Sequence, residues 1–160
     1  MDPVKVTRHV RAPHCVASLA ADTKEDAVKE LCARFAASGT LAKGKAEALG
    51  LEVLQREGEG TTGIGSGVAV PHAKTNLAKE LTVAVGISRG GLDFASVDGD
   101  PVHVVFLIAS PPEAAAEHLA FMKWVVSFTR SKYWMKLLRG CQTPEAMVEV
   151  LEESTTGVAR

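Results

Sequence analysis

Two periods of apolar and polar residues run along this chain and divide it into elements. Leu81, Val83, Val85 and Ile87 alternate with Thr82, Ala84, Gly86 and Ser88, the two-residue repeat of a strand. One face of that strand is bulky and the other small, and the small face lets a helix or neighbouring segment approach closely. Residues 102–109 are apolar nearly throughout, as a central strand covered on both faces must be. Turn signals at Gly90-Gly91 and Asp98-Gly99 separate the two runs. Residues 15–19 and 67–70 read as shorter strands, the second ending at Pro71-His72.

The helical repeat accounts for most of the remainder. Thr23 followed by Asp26 three residues on resembles a capping box, and Val28, Leu31, Cys32 and Phe35 recur at i, i+3, i+4 and i+7 until Gly39 stops the helix. Residues 44–57 place Ala46, Leu49 and Val53 on one face of a second helix, with Gly50 its weak point and Arg56 on its last turn. Ser110 as N-cap, Pro111 at the first helical position and Glu113 predict another start, with Ala115, Leu119, Met122 and Val126 as the inward face. Lys132–Arg139 reads as a short helix closed by Gly140, and Thr143-Pro144 opens a last one with Ala146, Met147, Val150 and Leu151 facing inward. Residues 1–14 carry charges, Pro3 and Pro13, and show only a weak Val4, Val6 alternation, so they read as an extension of low order. Residues 156–160 read as a tail. The expected fold is α/β, with helices flanking a sheet of four or so strands in one domain over residues 15–155.

Bulk numbers narrow what such a domain can do. The chain has 160 residues, 46% of them hydrophobic, enough for one cored domain and too few for two. A formal net charge of -1 supplies no global field toward nucleic acid or an anionic membrane, so proteins or small molecules are the expected partners. Cys15, Cys32 and Cys141 are far apart and in no C-x-x-C spacing, which argues against a disulfide framework or a structural zinc site. No apolar leader opens the chain, and no run approaches the roughly 18 apolar residues of a membrane-spanning helix. A reducing cytoplasm, without membrane insertion, is the expected setting.

The candidate chemistry lies in residues 56–74, Arg-Glu-Gly-Glu-Gly-Thr-Thr-Gly-Ile-Gly-Ser-Gly-Val-Ala-Val-Pro-His-Ala-Lys. Gly63, Gly65 and Gly67 would let backbone N–H groups approach an anion, and the hydroxyls of Thr61 and Thr62 would add donors. Arg56 supplies a planar, always-charged fork that matches phosphate oxygens. His72 supplies a nucleophile able to accept a phosphoryl group near neutral pH, its backbone entry restricted by Pro71.

Competing motifs fail on context. Residues 39–45, Gly-Thr-Leu-Ala-Lys-Gly-Lys, lack the final hydroxyl residue of a P-loop, since Ala46 stands there, and they follow a helix where a strand is required. Gly58, Gly60 and Gly63 spell a dinucleotide fingerprint, but between a helix and a strand, the reverse of the order that fold uses. His9 and His14, in the weakly ordered start, read as solvated; His103 reads as a strand residue hydrogen-bonded to a neighbour. The basic cluster Arg130, Lys132, Lys136 and Arg139, interleaved with Tyr133 and Trp134, reads as helix-end cations and core aromatics. No His-x-x-His, H-E-x-x-H or carboxylate cluster suggests a metal site.

The run from Arg56-Glu57 through Thr62-Gly-Ile-Gly-Ser-Gly-Val-Ala-Val-Pro-His72 resembles the enzyme IIA domains of the bacterial phosphoenolpyruvate-dependent sugar phosphotransferase system, of the fructose/mannitol/nitrogen-regulatory type. The likeness extends over about residues 15–153 and includes Thr23-Lys24-Glu25, Asp98-Gly-Asp-Pro-Val102, Ser110-Pro-Pro, His118-Leu119 and Thr143-Pro-Glu. It implies a mixed β-sheet flanked by α-helices and a phosphotransferase activity that needs no cofactor. His72 would be phosphorylated, on Nε2, by the phosphohistidine of the small histidine phosphocarrier protein. His118 corresponds to the second active-site histidine and Arg56 to the motif arginine. The branch implied is the nitrogen-regulatory one, with phosphorylation-dependent binding to target proteins. The alternatives are a sugar-specific IIA that passes phosphate to a separate IIB, and a regulatory binding module without transfer.

Overall fold

The computed structural model describes residues 6–156; Val4, and with it the Val4–Val6 alternation, lies outside the described residues, as do residues 157–160. A six-stranded mixed sheet runs through the middle, in the order β1-β5-β6-β3-β2, with β4 paired to β6 alone. The strands are β1 (Val10–Val16), β2 (Gly63–Gly65), β3 (Val68–Ala69), β4 (His72–Lys74), β5 (Thr82–Leu92) and β6 (Val102–Ser110). Strand β6 runs antiparallel to β5 and parallel to both β3 and β4. The expectation of a mixed sheet flanked by helices holds, though with more strands than the four expected.

Each face of the sheet is covered by helices, because the strand residues that alternate across it form two separate cores. Val83, Val85, Ile87, Val104, Phe106 and Ile108 point to one side, where they meet α4 (Ala115–Thr129), α5 (Lys132–Arg139) and α6 (Pro144–Ser154). Ala84, Val105, Leu107 and Ala109 point to the other, against α2 (Lys24–Ala37) and α3 (Lys43–Glu57). The small face of β5 does what its composition predicts. Leu19 packs onto Gly86 so closely that a Cβ there would lie 2.8 Å from its side chain.

Several expectations need correction. The first strand begins at Val10, after the single turn α1 (Val6–His9), so residues 10–14 belong to β1, which pairs in parallel with β5 at Val10, Cys15 and Val16. Pro13 is tolerated there because β1 is an edge strand, and the register shifts between Val10 and Cys15. His14 is accordingly not solvated: it is 1% exposed, with Nε2 shared between the Ser38 and Thr40 hydroxyls at 2.9 and 3.0 Å. His9 is half-buried, with Nδ1 donating to the Leu81 carbonyl at 3.2 Å. Ser110 is not an N-cap but the last residue of β6, where its carbonyl accepts from the Thr75 N–H at 2.8 Å. A 3-10 turn at Pro112–Ala114 precedes α4, whose inward face is Phe121, Val125 and Phe128; Leu119 and Val126 are exposed. His103 donates from Nδ1 to the Ser88 carbonyl at 2.9 Å, the neighbour bond expected of it.

Candidate active site

His72 stands at the break between two short strands. Strand β3 pairs with β6 at Val104 and Val105, and β4 resumes the same pairing at Ile108. Between them Pro71 has no N–H to give, though its carbonyl still accepts from Ile108 at 3.0 Å. The break places His72 half-buried at the edge of the sheet, facing the side of Val68 and Val70, where α4 begins. Its Nδ1 lies 2.8 Å from the Val70 carbonyl. A carbonyl only accepts, so Nδ1 carries a proton, and in the neutral ring the lone pair is then on Nε2.

His118 reaches the same place from the first turn of α4. It shares the inward face with Phe121, Val125 and Phe128 at i+3, i+7 and i+10, so packing of those aromatics fixes its direction. Its ring lies 5.4 Å from that of His72, centroid to centroid, at 69°. Burial first, then the neighbouring charges of His72 and Lys74, push its pKa below the ordinary 6.5. Nδ1 of His118 is buried with no hydrogen-bond partner among the described residues.

Arg56 comes from the last turn of α3. It shares with His72 a cavity of about 440 Å³, whose other polar walls are Glu52, Gln55, Glu59 and Lys74. One guanidinium N–H donates to the Gly60 carbonyl at 3.1 Å, which leaves most of the five donors for a ligand. Glu52, Gln55 and Arg56 recur at helical spacing along the polar edge of α3, and Glu59 lies in the turn just past its end. Sequence reading missed Lys74 as a wall of this cavity. The signal was available, since Lys74 lies two residues beyond His72 on one strand and therefore on its face.

The expected glycine cradle is not built as foreseen. Gly63 and Gly65 form β2, and Ser66 with Gly67, both at positive φ (56° and 79°), make the tight turn into β3. Gly63 is bare because Ser96 occupies its Cβ position, 2.3 Å from where that atom would be, while Gly65 packs against Asp98. None of the three glycines lines the His72 cavity. Thr61 and Thr62 are also committed: the Thr61 hydroxyl donates to the Phe94 carbonyl, and the Thr62 hydroxyl to Glu57 Oε1 at 2.6 Å. These five positions shape the loop that delivers His72. The structure brings together His72, His118 and Arg56, and does not bring the five to the cavity.

Comparisons with known proteins identify the family and the fold. Residues 10–154 match the family described as "Phosphoenolpyruvate-dependent sugar phosphotransferase system, EIIA 2". A nitrogen regulatory protein of Bradyrhizobium diazoefficiens is 37% identical over 136 residues, 84% of this chain and 86% of that one. A fructose-specific EIIABC component of Bacillus subtilis is 34% identical over 101 residues; the match takes in 63% of this chain but only 16% of that protein's length. Among solved structures, the nitrogen regulatory protein IIA-Ntr of Neisseria meningitidis superposes with a TM-score of 0.82 at 24% identity, over 91% of this chain and 98% of that one. That likeness speaks for the fold.

Proposed function

The chain belongs to the EIIA 2 family of the phosphoenolpyruvate-dependent sugar phosphotransferase system, and from that premise we propose that His72 accepts a phosphoryl group on Nε2 from the phosphohistidine of a small histidine phosphocarrier protein. The observation that carries this reading is the His72–Val70 hydrogen bond, which leaves Nε2 of the neutral ring free on a side chain that shares a cavity with Arg56 and lies next to the His118 ring.

The step exchanges one N–P bond for another. The Nε2 lone pair of His72 forms a bond to phosphorus as the bond to the donor nitrogen breaks, and the donor imidazole keeps that electron pair. No proton has to move in the same event. The His72 ring becomes cationic as Nε2 is phosphorylated, and the Nδ1–H to Val70 bond strengthens with it, because a charged donor bonds the carbonyl more tightly. Since bond types are conserved, positioning and charge stabilisation supply the catalysis. Arg56 meets the equatorial oxygens of the phosphoryl group in flight, and a neutral His118 offers one N–H to them.

The output we favour is the nitrogen-regulatory one, in which the phosphorylation state alters binding to target proteins; the nitrogen regulatory relative, matched over most of both chains, supports it. Likeness to a fructose-specific component keeps a second reading, transfer onward to a separate IIB protein. A cytoplasmic setting goes with either, and among the described residues no helix is long and apolar enough to cross a membrane. The test is incubation with phosphoenolpyruvate, enzyme I and the phosphocarrier. We expect one acid-labile phosphoryl group on the wild type and none on His72→Ala; equal labelling of the two overturns the reading. Adding candidate IIB proteins to the labelled chain separates onward transfer from retention.

A further inference from the structure

The hydrogen bonds behind His72 begin well beyond Val70. Val70 N–H donates to the Thr62 carbonyl at 3.0 Å, Thr62 N–H donates to Glu57 Oε2 at 2.9 Å, and the Thr62 hydroxyl donates to Glu57 Oε1 at 2.6 Å. Glu57 is the last residue of α3 and only 4% exposed. A carboxylate is badly placed there on two grounds, because burial removes its hydration and the C-terminal end of a helix repels negative charge. Among the described residues no cation pairs with it. What compensates it is a two-point grip on a single residue, Thr62.

We propose that Glu57 is a positioning residue for phosphoryl transfer: through Thr62 and the Val70 backbone it holds the His72 ring in the orientation and tautomer that present Nε2. This rests on His72 being the acceptor. The connection is short and stiff. Thr62 immediately precedes β2 and Val70 immediately follows β3, so their bond closes the open end of the hairpin. Glu57 ties that closed end to the last turn of α3. The residue before it is Arg56, so one anchor sets both the cation and the imidazole on their common cavity. The carboxylate offers two charged acceptors to the Thr62 N–H and hydroxyl; a carboxamide keeps only one acceptor, so the hydroxyl must turn round to accept and both bonds lose the charge that strengthens them. If Thr62 shifts, the Val70 peptide shifts with it, and its carbonyl no longer selects the Nδ1–H form.

The experiment compares wild type, Glu57→Gln, Thr62→Val and Thr62→Ser by long-range 1H–15N correlation of the His72 ring, at a pH where imidazoles are neutral, alongside steady-state acceptance from the phosphocarrier. In the wild type His72 is expected in the Nδ1–H form alone. Glu57→Gln and Thr62→Val are expected to show a mixture of tautomers, with kcat lower by about tenfold, as for a reacting group slightly misplaced. KM for the phosphocarrier stays put, because the docking surface is untouched. Thr62→Ser keeps the hydroxyl and gives the wild-type spectrum. Retention of the Nδ1–H form in both Glu57→Gln and Thr62→Val overturns the proposal, whether or not the rate falls. Should Glu57→Gln fail to fold, Thr62→Val against Thr62→Ser decides alone. A wild type that takes no phosphate on His72 defeats the acceptor reading instead, and the tautomer comparison still judges Glu57.

Discussion

The rings of His72 and His118 lie 5.4 Å apart and inclined at 69°, one carried by a strand at the sheet edge and the other by the first turn of α4. Burial, then His72 and Lys74, hold the His118 pKa below 6.5, so the ring is neutral at neutral pH. A phosphoryl group on His72 would set negative charge beside it and favour the imidazolium form. An NMR titration should therefore find the His118 midpoint below 6.5 in the free protein and higher after phosphorylation. An unmoved midpoint would remove His118 from contact with the phosphoryl group.

Arg56 should not be replaceable by lysine. Its planar fork spends one N–H on the Gly60 carbonyl and can still offer paired donors to the cavity, whereas an ammonium offers a point charge on a flexible stem. Arg56→Lys is expected to lower kcat/KM for phosphoryl acceptance by about tenfold or more, and Arg56→Ala further still, as for loss of a donor to developing charge. Steady-state rates with the phosphocarrier as donor check both.

His14 gives the fold an acid-sensitive point far from the chemistry. Burial, then Arg11 and Arg34, lower its pKa from 6.5 to about 4. The unfolded chain therefore takes up this proton before the folded one does. The stability His14 contributes is whole above pH 6.5 and is lost as pH falls toward about 4, a difference of roughly 3 kcal/mol at the acid end. His9 and His118 are pushed the same way, so the comparison that isolates His14 is urea unfolding of wild type against His14→Gln across this range. The variant should show the shallower pH dependence.

Gly63→Ala should destabilise by about 1–3 kcal/mol, the usual cost of overpacking a filled site. Its new Cβ would sit 2.3 Å from Ser96 Oγ and 3.0 Å from Ser96 Cα. Adding Ser96→Gly removes the first clash and not the second, so urea unfolding should recover part of the loss.

What could be read from the sequence follows from how local each cause was. The helices at Lys24–Ala37 and Pro144–Ser154 were legible because Thr23 and Thr143 cap the N–H groups of Asp26 and Ala146 within one turn. Strand β5 was legible because only one period fits it. Helix α4 was placed but turned the wrong way, since Ala115, Leu119, Phe121, Met122, Val125, Val126 and Phe128 offer more than one apolar face. The face with two phenylalanines won, as it buries more area. Only the end of β1 was legible, in the strand expected at residues 15–19; residues 10–14 escaped because Arg11, Pro13 and His14 mask the alternation and the pairing with β5 spans some seventy residues. At the site, His72, His118 and Arg56 were singled out by motif and resemblance, while glycine-rich sequence suggested an anion cradle where the structure builds a hairpin. The grip of Glu57 on Thr62 was out of reach, because a buried carboxylate is visible only once its surroundings are.

The most direct measurement is a 31P–15N correlation spectrum of the phosphorylated, 15N-labelled protein, which reports the nitrogen bonded to phosphorus. Phosphorus coupled to Nε2 of His72, with Nδ1 still protonated, is the result expected from the Val70 hydrogen bond. Coupling to Nδ1, or to a nitrogen of His118, would contradict it.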